Sequence, residues 1–163
     1  MQFILLASFF LDAYAFSTEA VIGYTIGKRA KNSFLTVVSN SFQLSIFSGL
    51  IISVIYLFTF QSIVSELTNL DYLKFLTFNY IFWIILIPPV ASVCYQFDGI
   101  FIGASQTSEI RNGMIISVVF FILSSKFLLD NFGNHGLWLS LLIFMIIRSL
   151  TLNYYFSRIL KNF

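Results

Sequence analysis

Asp12, Glu19, Asp98 and Arg148 each stand inside a long run of Phe, Ile, Leu and Val. Carboxylates in such places can hold a cation, carry a proton or pair with a base, and Arg148 is a base of the same kind of setting. A charged side chain near the centre of a bilayer costs at least roughly 2.5 to 3.5 kcal/mol, so it persists where it faces a protein interior, a watery cavity or a partner. These four residues are the candidate cation-coupling and substrate-binding groups. Asp98 is also the position where a Na+ ion would bind.

Their depths are read by counting residues to the nearest charge at the basic end of each helix. Glu19 lies nine residues before Lys28, Asp98 eleven before Glu109 and Arg148 ten before Arg158. At about 1.5 Å per residue these are roughly 14, 16 and 15 Å. Half of a hydrocarbon core is about 15 Å. The three groups are therefore expected near one plane at the bilayer centre, on three helices, which is where transporters build substrate and ion sites. Asp12, seven residues before Glu19 and two turns away on the same face, is expected nearer the other surface. The competing reading is a set of fixed ion pairs that only specify helix packing.

The elements that must position these groups are membrane spans. Of the 163 residues, 58% are hydrophobic, 19% aromatic and 10% charged, against about 25% charged in an ordinary soluble domain. A chain of this size cannot hide that much apolar surface from water. The expected fold is all-α, a polytopic membrane helix bundle occupying 1–163, with about five spans at 3–26, 33–64, 75–104, 106–129 and 136–156. The second run carries no charge between Lys31 and Glu66, so it is long enough to tilt or extend past the lipid. Unbroken apolar runs argue against barrel strands, whose lipid and lumen faces alternate.

Lys28, Arg29, Lys31, Arg111, Arg158 and Lys161 fall on one side of such a bundle, while Lys74 and Lys126 fall on the other beside Glu66, Asp71 and Asp130. The positive-inside rule then places the C-terminus in the cytoplasm. Met1 opens straight into an apolar helix with no basic leader, unlike a signal peptide, and reads as a beginning cut from a longer chain. Pro88 and Pro89 each remove an amide hydrogen and clash with the carbonyl four residues earlier. A bend is expected there, with the carbonyls of Ile84 and Ile85 released.

The run Ile87-Pro88-Pro89-Val90 through Cys94-Tyr95-Gln96-Phe97-Asp98-Gly99-Ile100-Phe101-Ile102-Gly103-Ala104, followed by Thr107, Glu109, Arg111 and Asn112, resembles the tenth helix and following loop of multidrug and toxic compound extrusion (MATE) transporters. The DinF-like subfamily is the branch indicated. Leu11-Asp12-Ala13 with Glu19-Ala20, and Gly133-Asn134-His135-Gly136-Leu137-Trp138 leading to Arg148-Ser149-Leu150, resemble it further. The resemblance implies a C-terminal part, helices eight to twelve, of a twelve-helix antiporter of the bacterial inner membrane that exchanges Na+ or H+ for organic cations or other xenobiotics. It implies a missing N-terminal lobe, in the same or another chain. Asp98 matches the family's acidic tenth-helix position.

Other classes fit less well. An intramembrane enzyme would need a nucleophile with a base or a metal cluster, yet the chain has one His and one Cys, His135 and Cys94, and no His-Glu-x-x-His. No cofactor is expected beyond the coupling ion. A net charge of +2 is too small to indicate nucleic acid. The partners expected are the lipid bilayer and a small-molecule substrate. The alternatives kept open are a lipid-linked saccharide flippase of the same superfamily and a non-transporting membrane fragment.

Overall fold

The structure, a computed structural model, describes residues 2–161. Met1, Asn162 and Phe163 lie outside the described residues. The chain forms α1 (Gln2–Gly27), α2 (Lys31–Leu67), α3 (Asp71–Phe78), α4 (Ile81–Gly103), α5 (Thr107–Phe132) and α6 (Asn134–Leu160). There is no strand among the described residues, and α1, α2, α4, α5 and α6 are each long and apolar enough to cross a membrane. The all-helical bundle of five spans is thus the architecture found.

The expected third span is divided. Its first residues belong to α3, and the chain breaks at Asn79 and Tyr80, whose amides bond three residues back to the carbonyls of Leu76 and Thr77. Such tight bonds end one helix and reset the axis of the next. Aromatic and apolar residues continue across the break, so hydropathy alone does not reveal it. The α5 helix also runs to Phe132, through Lys126 and Asp130, because charges in a last turn do not stop a helix. Gly133 stops it, at φ 55°, a left-handed value at which a side chain is strained.

Burial is concentrated in α4. In its most apolar stretch 61% of residues are buried, against 11% in α5, so α4 is the axis of the bundle and α5 its outermost span. Helices α1 and α2 pack on α4 and on each other, while α5 packs mainly on α6 and α6 bridges back to α4.

Small residues make the first of these contacts close. A Cβ on Gly99 would lie 2.4 Å from the carbonyl oxygen of Ala15, and one on Gly103 would lie 2.5 Å from that of Glu19. Gly99-x-x-x-Gly103 is therefore a seam along which the α1 and α4 backbones meet, the small-residue packing that lipid-embedded helices favour. Across α2, Ser45, Gly49 and Ser53 face α4 at four-residue spacing. Ser45 Oγ donates to the Ser92 carbonyl, and a Cβ on Gly49 would meet the Pro88 oxygen at 3.0 Å.

The double proline sits inside this packing. Pro89 withholds a hydrogen from the Ile85 carbonyl, and Ser53 Oγ supplies one instead at 2.6 Å. Helix α4 runs through both prolines, and the released carbonyl finds its donor on a neighbouring span, as dry lipid requires.

Candidate functional site

Asp98 and Arg148 meet. Arg148 Nη2 donates to Asp98 Oδ1 at 2.9 Å and lies 2.9 Å from Oδ2. The arginine side chain is 13% exposed and the aspartate 19%, so this is a largely dry pair joining α4 to α6. The guanidinium is incompletely used. Its Nη1 points to the thioether sulfur of Met114 on α5 at 3.2 Å, and its buried Nε has no hydrogen-bond partner. An arginine that gripped a carboxylate with both arms of its fork would leave less unsatisfied.

Asp12 shares this neighbourhood from α1, within electrostatic reach of Asp98 and of Tyr95. Glu19 does not. Its backbone lies against Gly103, a turn beyond Asp98, its side chain is half-buried, and among the described residues it has no ion-pair or hydrogen-bond partner. The expected single plane of Glu19, Asp98 and Arg148 is thereby corrected: α1 and α4 run parallel, Ala15 opposite Gly99, so Asp12 is the acid level with Asp98. Counting from Asp98 to Glu109 crosses the 104–106 turn, and α4 ends at Gly103, level with Glu19 and well short of the end of α1, so the counts on the two helices share no common origin.

Three further polar contacts were not foreseen in the sequence. Thr18 Oγ1 donates to Gln96 Oε1 at 2.9 Å, and the fully buried Gln96 leaves its Nε2 without a partner. An amide inside an apolar run is a weak signal beside a charge, yet its place two residues before Asp98 was visible. Near the other end of α6, Arg158 Nη1 bonds the buried Glu109 Oε1 at 3.2 Å, with Ser108 donating to the same carboxylate. Glu109 had looked like a boundary marker only. Trp83 Nε1 donates to His135 Nδ1 at 3.0 Å, a second polar contact between α4 and α6. The lone thiol, Cys94, is buried beside the pair.

Among the described residues no three His, Cys, Asp or Glu side chains gather to hold a metal. A hard cation at Asp98 would complete its oxygen shell from hydroxyls, carbonyls and water.

Spans that seal a charged pair between them define an integral-membrane helix bundle with a polar interior. Over 99% of its length the chain is 33% identical to DNA damage-inducible protein F of Escherichia coli (strain K12). Over 91% of its length it is 24% identical to Protein DETOXIFICATION 42 of Arabidopsis thaliana. The chain spans about a third of the length of these curated relatives, 35% of the first and 29% of the second. No family model matches, and no solved structure matches. The DinF-like, MATE-type resemblance read from the Asp98 run holds along the chain.

Proposed function

We propose that this chain forms part of a secondary active antiporter of the bacterial inner membrane, in which Na+ or H+ entering at Asp98 is exchanged for an outgoing organic cation or other xenobiotic. The observation that carries the reading is a carboxylate about four-fifths buried among membrane spans, with its counter-charge arriving from a different span. One carboxylate holds the Arg148 guanidinium, a coupling cation or a cationic substrate, but not all of them at once. Exclusive occupancy linked to two arrangements of the helices is what exchange requires. Aromatic side chains, among 21 Phe and 8 Tyr, offer faces to flat cations.

The rest of the path is assigned to a partner lobe, in the same or another chain. Expressed by itself, the chain is expected to insert without conferring efflux, because part of a lobe cannot enclose a path that opens alternately to two sides. Cation-driven efflux from proteoliposomes holding this chain alone would contradict that. A saccharide-lipid flippase would need free interior cations for phosphate, and Arg148 is already engaged by Asp98.

The decisive test is Asp98→Asn in the transporter that carries this stretch, since it keeps shape and removes the charge. Cation-driven efflux should vanish at unchanged membrane insertion; efflux at the unaltered rate would return Asp98 to a purely structural role. Orientation is tested by single cysteines in a Cys94→Ala background. One at Lys31 should be protected from an impermeant external thiol reagent and one at Asn69 should react, with Asn162 behaving as Lys31.

A further inference from the structure

Helices α5 and α6 meet the rest of the bundle in two different ways along their length. Towards the C-terminal end of α6, Leu152 and Ile159 are fully buried with Ile22, Phe34, Ile100 and Phe101, and Phe156 stacks on Phe34 at 6.0 Å. This is a dry anchor with no charge in it. From mid-helix towards the N-terminal end, the polar ties to α4 are Arg148 to Asp98 and His135 to Trp83. Between these ties lies Met145, packed on Leu11, Ile87 and Ala91 with the partly buried Trp138, Leu141 and Phe144 against the same cluster, and methionine is an unbranched side chain that adapts to altered packing.

We propose that the Asp98–Arg148 pair is a releasable latch: when Asp98 is taken by a coupling cation, Arg148 lets go and the α5–α6 hairpin swings away from α4 at the His135 end, pivoting on the apolar anchor around Leu152 and Ile159. The inference rests on the cation-coupling reading of Asp98 and adds the part that moves. Three features make the pair a latch and not a rivet. Arg148 holds Asp98 through one nitrogen, and its Nε is unpartnered, so release forfeits less than a two-armed grip would. Of the ion pairs among the described residues, it alone joins α4 to the hairpin. The hairpin itself stays whole when the latch opens, because Glu109 to Arg158 and the α5–α6 packing hold it together. The charged and titratable groups facing Asp98 are Arg148 from α6, Asp12 from α1, and Cys94 and Tyr95 from α4.

The latch is tested by distance, which transport does not determine. In a Cys94→Ala background in lipid nanodiscs, spin labels at Phe82 and Phe132 report the His135 end, and labels at Ile102 and Tyr154 report the anchored end. Asp98→Asn and Arg148→Gln should each shift the 82–132 distribution to longer distance and leave 102–154 unchanged. The exchange Asp98→Arg with Arg148→Asp should return the 82–132 distance to its closed value while transport stays lost. Trp83→Phe, which keeps the ring and removes the donor, should give a smaller opening and guards against a latch variant that fails to fold. Unchanged 82–132 distances in Asp98→Asn and Arg148→Gln, or equal lengthening at both ends, would overturn the latch. Closed distances with lost efflux would sink the latch and leave cation coupling standing. Opening with normal efflux would do the reverse.

Discussion

The seam between α1 and α4 and the seam between α4 and α6 are built on opposite principles. The first is made of absent side chains: Gly99 and Gly103 let backbone meet backbone. The second, beyond its apolar anchor at Leu152 and Ile159, is made of long ones, Arg148, Met145 and Trp83 reaching across. Backbone contact has one geometry and fails abruptly, whereas long side chains have many rotamers and can let go and re-form. The contrast divides the bundle into a fixed part, α1 with α2 and α4, and a hairpin held by contacts that can change.

Substitutions should separate the two seams, beginning with the most severe. Gly99→Leu places a side chain where even a Cβ meets the Ala15 backbone at 2.4 Å. Overpacking costs about 1–3 kcal/mol where neighbours can shift, and here a whole helix must move, so monodisperse protein in detergent should be lost. Asp98→Asn should leave that yield intact while abolishing cation-driven efflux, and Glu19→Gln, with no partner to lose, should reduce efflux less. If Glu19→Gln proved the more damaging at matched expression, the ranking of the two acids would be reversed.

Smaller effects sharpen the same division. Ser53→Ala removes the donor that serves the Ile85 carbonyl beside Pro89, and hydrogen bonds between membrane helices contribute about 0.6 kcal/mol on average and up to about 1.7. A loss in that range, read by unfolding in mixed detergent, is expected; a loss near zero would mean that water serves the carbonyl equally well. Glu109→Gln weakens a pair whose arginine is 55% exposed, so a change below about 1 kcal/mol is expected. Gly113→Ala is the mildest. Its new Cβ would meet the flexible Leu152 side chain at 3.4 Å, and yield should be unchanged, in contrast to Gly99.

The sequence was most legible where composition speaks for long stretches. Runs such as the one from Lys31 to Glu66 announce a span because no soluble arrangement would tolerate them. The break at Asn79 and Tyr80 was hidden because apolar residues continue on both sides, and it is local hydrogen bonding that ends α3. For the site, charges in lipid drew attention to Asp98 and Arg148, and they do pair. The α1 acid that stands level with Asp98 was misjudged, because depths counted from different helix ends share no origin, and it is the Ala15–Gly99 contact that sets Asp12 nearer that level than Glu19. Gln96 and Thr18 escaped notice since neither carries a charge, although both are sealed inside the bundle.

The hydroxyls of that fixed part carry a consequence for biogenesis. Thr18 Oγ1 lies within hydrogen-bonding distance of the Tyr14 carbonyl of its own helix as well as of Gln96, and Ser53 Oγ reaches the Gly49 carbonyl as well as that of Ile85. Helices α1 and α2 leave the ribosome before α4. Each can therefore wait in lipid with its hydroxyl turned onto its own preceding turn, a local bond that serine and threonine make readily. Neither of these two hydroxyls is left bare in hydrocarbon during the interval. When α4 is inserted, the same two hydroxyls turn outward to receive it, so their part of the seam is completed by reorienting bonds already formed.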